Sequence, residues 1–175
     1  MRHYHYLGNL ESLWNVGLER YQAGLKTPDT ILEEKEEEFL KSLGLKVMDL
    51  FDYVEDYTLE GEPDWNSFAA ICEVRRNYFF ERQNRIFSAG HVRMEDLPAK
   101  SDSIQGITWL PRIIPKALGK LRGELDPEIM YCCGGDREFF RTHDIHPAEF
   151  LRVAWAWEEE PDKIVAWVLD RSKQT

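Results

Sequence analysis

Residues 136–151, DREFFRTHDIHPAEFL, repeat the pattern of residues 36–51, EEEFLKSLGLKVMDLF, one hundred positions earlier. Large apolar residues recur in both stretches at spacings of three and four, which is typical of one face of an α-helix. Gly44 and Asp144 fall at the same place, where a residue that ends a helix is expected. Each stretch therefore predicts two helices joined by a tight turn.

The correspondence continues outside these two stretches. At the same offset Arg20 meets Lys120, within segments that have the same helical pattern. The trio Glu-Pro-Asp at 62–64 meets the same trio at 160–162 after a two-residue slip, and each trio is expected to introduce a helix. Similar helix pairs also arise by chance, because all amphipathic pairs share one pattern. Three matched segments in the same order favour an internal duplication.

A duplication predicts two related halves, at about 7–89 and 106–172, within a single domain of residues 1–175. We expect the halves to pack around a pseudo-two-fold axis, with a groove between them as the natural ligand site. Residues 90–105 show no clear period and are expected to form an irregular linker.

Helical periodicity dominates the chain, which predicts an all-α helical bundle. Residues 106–110, GITWL, are a candidate for a short extended piece but have no obvious partner. Asn9 is expected to begin the first helix and Gly24 to end it, and Thr30 with Glu33 has capping-box spacing. Helices are expected at residues 9–24, 27–44, 46–57, 64–89, 110–123, 136–143, 147–159 and 162–172.

Particular side chains test this assignment. The long helix at 64–89 would place Ile86 on its inner face. Phe39 and Phe139 would be equivalent core positions if the duplication is real. Pro115 would either kink its helix or make it begin later.

Composition excludes some classes of function. The chain has 175 residues, 43% of them apolar, and a formal net charge of −10. This charge disfavours a nucleic acid as partner, since phosphate binding relies on Lys and Arg. No apolar run is long enough to span a membrane, and no secretory signal is evident at the start. With three cysteines and no CxxC spacing, we expect a cytoplasmic protein.

The last 40% of the chain is similar to a known family. Residues 106–125 (GITWLPRIIPKALGKLRGEL), 130–155 (MYCCGGDREFFRTHDIHPAEFLRVAW) and 158–168 (EEEPDKIVAWV) resemble the bacterial family called domain of unknown function 5069. Residues 132–135, CCGG, depart from its commoner pattern. The resemblance implies a helical fold and a bacterial origin, and it implies no activity. The matching positions are Gly106, Trp109, Leu110, Pro111, Arg112, Lys116, Leu121, Gly123, Tyr131, Asp136, Arg137, Phe139 and Trp167.

Five residues form the candidate ligand-binding site: Trp109, Arg112, Tyr131, Asp136 and Arg137. In one interpretation the two arginines clamp a carboxylate or phosphate, and the two aromatic rings supply a wall. In the other, Asp136 pairs with Arg112 to join two helices, and Trp109 belongs to the core. Asp136 is also expected to cap its own helix rather than leave Gly134 and Gly135 to receive an anion.

Other polar residues are less convincing as sites. His143 and His146 flank Asp144, but the repeat places these residues at a turn, so no metal and no cofactor is expected. Cys132 and Cys133 lie before a helix start that is able to activate one thiol, although most intracellular cysteines are inert and buried.

Three hypotheses of function follow. The leading one is a binding module for a small anionic ligand or a protein partner. The second is a hydrolase or transferase with a polar pocket around Asp136, Arg112 and Tyr131. The third is structural self-association into a homo-oligomer.

Overall fold

The computed structural model describes residues 3–173 and confirms an all-α helical bundle. The chain divides into two compact units, and the division falls between Arg76 and Asn77, within α5. Two 3-10 turns, His3–His5 and Met94–Asp96, and two short strands, β1 (Ser103–Ile104) and β2 (Ile107–Thr108), complete the described structure. The helices are α1 (Tyr6–Gln22), α2 (Pro28–Ile31), α3 (Glu34–Ser42), α4 (Val47–Glu60), α5 (Trp65–Glu81), α6 (Leu110–Arg122), α7 (Gly134–Thr142), α8 (Pro147–Ala156) and α9 (Pro161–Ser172).

In unit 1, up to Arg76, α1 packs along α4. Gly17 permits a close approach, since a Cβ atom there would lie 3.1 Å from the Val54 side chain. The ring of Trp14 stacks on Phe68 with centroids 4.8 Å apart, and Phe68 is itself fully buried. This aromatic contact ties the first turn of α5 to the α1–α4 pair.

In unit 2, from Asn77, α6 packs along α8, and α9 contacts both of them. Phe140 of α7 lies 5.6 Å from Phe150 of α8 and 5.8 Å from Tyr131, measured between ring centroids. These buried rings fix α7 beside α8.

The helix bounds in the two similar stretches correspond. The stretches at 36–51 and 136–151 each contain the end of one helix, a tight turn and the start of the next. α3 and α7 end at Ser42 and Thr142, and α4 and α8 begin at Val47 and Pro147, always one hundred positions apart.

The turn between the paired helices has the same backbone in both units. Gly44 has a φ of +79° and Asp144 a φ of +50°, so both lie in the left-handed region. The next residue then closes the turn: Leu45 N–H donates to the Leu40 carbonyl at 3.0 Å, and Ile145 N–H to that of Phe140 at 2.9 Å. Asp adopts this conformation at a small penalty, which explains why it replaces Gly.

The buried faces of α1 and α6 overlap. All five buried residues of α1 have a buried counterpart in α6 at the same offset, and α6 also buries Arg112, Lys116, Gly119 and Lys120, whose counterparts in α1 are not buried. The pairs are Leu10 and Leu110, Leu13 and Ile113, Trp14 and Ile114, Gly17 and Ala117, and Tyr21 and Leu121. The predicted two-fold packing of the halves, and a groove between them, stay predictions.

Several predicted helix starts in unit 1 are wrong. α1 begins at Tyr6 rather than at Asn9. The segment at 27–44 is two helices, because Leu32 is extended with φ and ψ of −123° and 152°. The capping box is formed by Glu33 and Glu36, not by Thr30 and Glu33, and the Glu33 N–H donates to the Glu36 carboxylate at 2.7 Å.

The end of α5 was predicted eight residues too late. The helix stops at Glu81, because Asn84 and Arg85 both have positive φ values, 50° and 64°. Ile86 therefore lies outside the helix and is 70% exposed. Phe39 is only half-buried whereas Phe139 is buried, so these two are not equivalent core positions.

Residues 103–108 form a strand pair: β2 lies in the candidate extended piece at 106–110, and β1 is the partner that the sequence did not reveal. β1 pairs with β2 antiparallel, through Ser103 with Thr108 and Ile104 with Ile107. The two turn residues between the strands, at 105 and 106, have φ values of 52° and 83°, the combination that suits a two-residue hairpin turn. α6 then begins at Leu110 and includes Pro115, so the proline does not delay its start. Within residues 3–173 no helix combines the length and apolar character that crossing a bilayer requires.

Candidate functional site

The centre of the candidate site is the carboxylate of Asp136, the third residue of α7, which is fully buried. It accepts hydrogen bonds from the Trp109 indole N–H at 2.9 Å and from the Cys132 backbone N–H at 2.8 Å. Lys116 of α6 forms an ion pair with it at 2.5 Å. Three donors compensate for the loss of water around a buried charge. Asp136 is therefore paired with Lys116 and not, as one interpretation predicted, with Arg112.

Arg112 lies one turn before Lys116 on α6 and has different partners. Its guanidinium donates to the Pro98 carbonyl at 2.7 Å, contacts the Met94 sulfur at 3.0 Å, and lies 5.9 Å from the centre of the Trp109 ring. Arg112 is buried and holds the irregular segment at 94–98 against α6.

Arg137 fixes the backbone just before α7. Its guanidinium donates to the Cys132 carbonyl at 2.9 Å, while Asp136 accepts from the N–H of the same residue. Cys132 has a φ of +71°, a conformation that residues other than glycine seldom adopt. The side chains of Asp136 and Arg137 thus bind the backbone N–H and C=O of Cys132, whose backbone is strained. Backbone strain of this kind is concentrated at functional sites.

Tyr131 is buried inside unit 2. Its hydroxyl donates to the Pro147 carbonyl at 2.8 Å and so joins the turn before α7 to the start of α8. Burial raises the pKa of Tyr131 well above its ordinary value. The ring contributes to packing, and its hydroxyl is neutral at physiological pH.

Trp109 is held in one position by three constraints. It has a φ of +73°, and its backbone N–H donates to the Asp102 carbonyl at 3.1 Å across the hairpin. Its indole lies directly over Gly135: a Cβ atom at that position would be 2.6 Å from two ring atoms. The hydrogen bond to Asp136 then fixes the rotation of the ring.

Trp109 also forms a wall of an open groove of about 450 Å³ in unit 2, called here the Trp109 groove. Its volume is in the range that small ligands occupy. The hairpin supplies one side and α7 the other. The lining residues are Gly106, Ile107, Thr108, Trp109, Gly135, Glu138, Phe139, Thr142 and His143.

His143 is the polar ring of this groove. Burial lowers the pKa of His143 below its ordinary value, so the ring is neutral at pH 7. Its Nδ1 lies 2.7 Å from the Ser172 hydroxyl, which donates its own proton to the Val168 carbonyl. Nδ1 must therefore carry the hydrogen and donate to Ser172. Nε2 is left as a hydrogen-bond acceptor.

The metal interpretation has no support in the geometry. His146 caps α8, where its Nδ1 accepts from the Ala148 N–H at 3.1 Å, and His143 bonds to Ser172. Among the described residues, no three His, Cys, Asp or Glu side chains are grouped so as to hold a metal ion.

Of the five predicted ligand-binding residues, Trp109 lines the groove, whereas the other four are buried. Ligand binding by them stays a prediction. The sequence did not single out Lys116, Gly135 or His143 as parts of this site. Lys116 falls four residues after Arg112, on the same face of the predicted helix. That spacing could have indicated that Lys116 lies beside the candidate site.

Comparisons with known proteins leave the site to be interpreted from its geometry. No protein-family model, no curated protein and no solved structure matches this chain.

Proposed function

We propose that this protein is a binding module for a small ligand, and that unit 2 takes the ligand in the Trp109 groove. The observation that carries the proposal is the fixed indole of Trp109. A ring that is already held by Asp136, Gly135 and the hairpin loses little entropy when a ligand packs against it. Preformed apolar walls with a few polar groups are the common form of such sites.

The polar groups of the groove favour a particular ligand. Nε2 of His143 is one hydrogen-bond acceptor in the groove, and the exposed Glu138 carboxylate is a second. The Arg141 guanidinium lies 3.6 Å from that carboxylate. Arg112 and Arg137 donate to backbone carbonyls, so their contacts do not favour the anionic ligand that the sequence suggested. A flat apolar ring that carries an N–H donor, and no negative charge, fits the groove best.

An NMR titration tests this proposal with three probes that share one ring. Tryptamine, indole and indole-3-acetate would each be added to the ¹⁵N-labelled protein. We expect shifts at the Trp109 indole N–H and the Gly135 amide, with tryptamine binding most tightly and indole-3-acetate most weakly. The proposal fails if no probe moves these two signals, or if the anionic probe binds best.

Two glycines in the first turn of α7 provide a matched pair of variants. Gly135→Ala places a methyl group 2.6 Å from the Trp109 ring, whereas at Gly134 the nearest atom is the Arg137 guanidinium at 3.8 Å. Alanine favours a helix at both positions. We expect Gly135→Ala to weaken tryptamine binding at least about tenfold, because the preformed wall is displaced. Gly134→Ala should bind as the unsubstituted protein does, and equal affinities of the two variants would contradict the role of the ring.

We also propose a cytoplasmic location. The three cysteines, all of them in the described part of the chain, form no disulfide bond. Reduced thiols are typical of that compartment. Thiol titration in denaturant of protein purified without reductant would test this, and fewer than three thiols would argue against it.

A further inference from the structure

The thiol of Cys133 has an uncommon neighbour. Its sulfur lies 3.3 Å from the Lys116 ammonium nitrogen, in addition to the ion pair that this lysine forms with Asp136. The Lys116 side chain is only 4% exposed, so water screens its charge poorly. Among the described residues the ammonium contacts these two acceptors, which leaves one of its three N–H bonds for a further acceptor.

Cys133 also occupies the N-cap position of α7, ahead of the first-turn amides. A helix N-terminus and an ammonium group both stabilise negative charge on a sulfur, and the thiolate is the reactive form of cysteine. The strained backbone of Cys132, held by Asp136 and Arg137, determines where Cys133 is placed.

The other two cysteines provide an internal comparison. Cys72 and Cys132 are buried, whereas Cys133 is partly exposed. Burial raises the pKa of Cys132 well above its ordinary value, and the Asp136 carboxylate raises it further. Cys132 is therefore a protonated, inaccessible thiol directly beside an accessible one.

We propose that Cys133 is a reactive thiol, activated by Lys116 and oriented by Asp136, that exchanges with low-molecular-weight disulfides. The arrangement has the three parts of an activated nucleophile: the nucleophile, a cation within reach of it, and a group that holds the cation. This proposal shares Asp136 with the proposed function, but Cys133 does not line the Trp109 groove, so thiol reactivity and tryptamine binding are separate measurements.

The exchange step is balanced as follows. The Cys133 thiolate attacks one sulfur of a disulfide R–S–S–R, a protein–S–S–R bond forms, and the original S–S bond breaks. The second R–S group leaves with the electron pair as a thiolate. Cys133 is oxidised and the leaving sulfur is reduced. The positive charge of Lys116 lies 3.3 Å from the attacking sulfur, which favours anionic disulfides.

The test uses dithiobis(nitrobenzoate), an anionic aromatic disulfide, and dithiodipyridine, an uncharged one. In the folded protein we expect one fast thiol, mapped by mass spectrometry to Cys133, that reacts at least about tenfold faster than Cys72 or Cys132. Relative to free glutathione, the anionic reagent should be favoured over the uncharged one. In denaturant the three cysteines should react alike. Similar rates for all three in the folded protein would overturn the proposal.

Lys116→Gln removes the charge and keeps a donor for Asp136. If this variant folds, as circular dichroism would show, Cys133 should lose both its fast reaction and its preference for the anionic reagent; an unchanged rate would overturn the role of Lys116. If the variant does not fold, the unsubstituted protein still tests the role of Lys116, because the absence of a preference for the anionic reagent would overturn it. Cys132→Ser is the matched control and should leave the fast phase unchanged.

Discussion

Units 1 and 2 place a carboxylate at the third position of equivalent helices, Glu36 in α3 and Asp136 in α7, yet give it different surroundings. Glu36 pairs with Arg20 at 2.5 Å, and both side chains are 24% exposed. Asp136 pairs with Lys116 at the same distance, but the two side chains are 0% and 4% exposed. The same helical frame thus carries a surface ion pair in one unit and a buried one in the other.

The two cations come from different turns of their helices. Arg20 is the counterpart of Lys120, whereas Lys116 is the counterpart of Val16, about one turn earlier. Lys116 of α6 reaches the carboxylate of α7 from one turn earlier than the turn from which Arg20 of α1 reaches the carboxylate of α3. A buried ion pair usually gives no gain over apolar residues, because desolvation offsets the attraction. Its presence in unit 2 is better explained by the positions of Trp109 and Cys133, both of which it contacts.

The largest expected difference between the units is the effect of removing the two carboxylates. Asp136→Ala leaves the Lys116 charge buried without its carboxylate partner, so we expect a loss of about 3–5 kcal/mol in the free energy of unfolding. Glu36→Ala breaks a partly exposed ion pair and one capping-box hydrogen bond, so it should lose about 1–2 kcal/mol. Urea denaturation of both variants would measure this, and equal losses would mean that burial does not distinguish the two pairs.

A second comparison concerns Phe39 and Phe139, which the repeat aligns. Phe139 is buried, so Phe139→Ala should lose about 3–5 kcal/mol. Phe39 is half-buried, and Phe39→Ala should lose clearly less. Thermal unfolding of the two variants under the same conditions is the measurement. Equal losses of stability in the two variants would mean that Phe39 and Phe139 are equivalent core positions after all.

The turn residues Gly44 and Asp144 allow a smaller comparison. Gly44→Ala should destabilise unit 1 by about 1–2 kcal/mol, because a Cβ atom is unfavourable at positive φ. Asp144→Gly should stabilise unit 2 by up to about 1 kcal/mol for the same reason. Chemical denaturation would detect both changes. A stabilising effect of Gly44→Ala would contradict the shared turn.

The smallest expected effect is the pH dependence from His143. Its pKa in the folded protein is lowered by burial, so the unfolded chain takes up the proton first as pH falls. The stability contributed by the neutral ring is present above about pH 6.5, declines as pH falls through that value, and stops declining below the lowered pKa. Urea midpoints measured between pH 5 and 8 would show this slope, and His143→Gln should remove that part of it.

The sequence predicted the features that depend on local pattern. The spacing of apolar residues around Gly44 and Asp144 located both helix pairs, because a buried helix face must repeat every three to four residues. The end of α5 was not predictable in this way. Asn84 and Arg85 adopt left-handed conformations after the helix, and such a helix end is normally indicated in a sequence by Gly or Pro. The hairpin was missed because its turn contains Gln105 before a glycine instead of Asn or Asp.

The candidate site was predicted in part. Trp109 and Asp136 were singled out together and do contact each other. Their partner Lys116 was missed because a lysine on an amphipathic helix is usually solvated, and only tertiary packing shows that this one faces inward. The position of Trp109 over Gly135 depends on a hairpin and a helix that are distant in sequence, and no local pattern encodes that approach.

The indole hydrogen of Trp109 gives this protein a built-in reporter. It resonates apart from the backbone amides, and its exchange with deuterated water requires the hydrogen bond to Asp136 to open. The exchange rate of a single proton therefore measures how often the buried carboxylate is uncovered. The chain has six tryptophans, so a ¹⁵N-labelled Trp109→Phe variant would assign the signal.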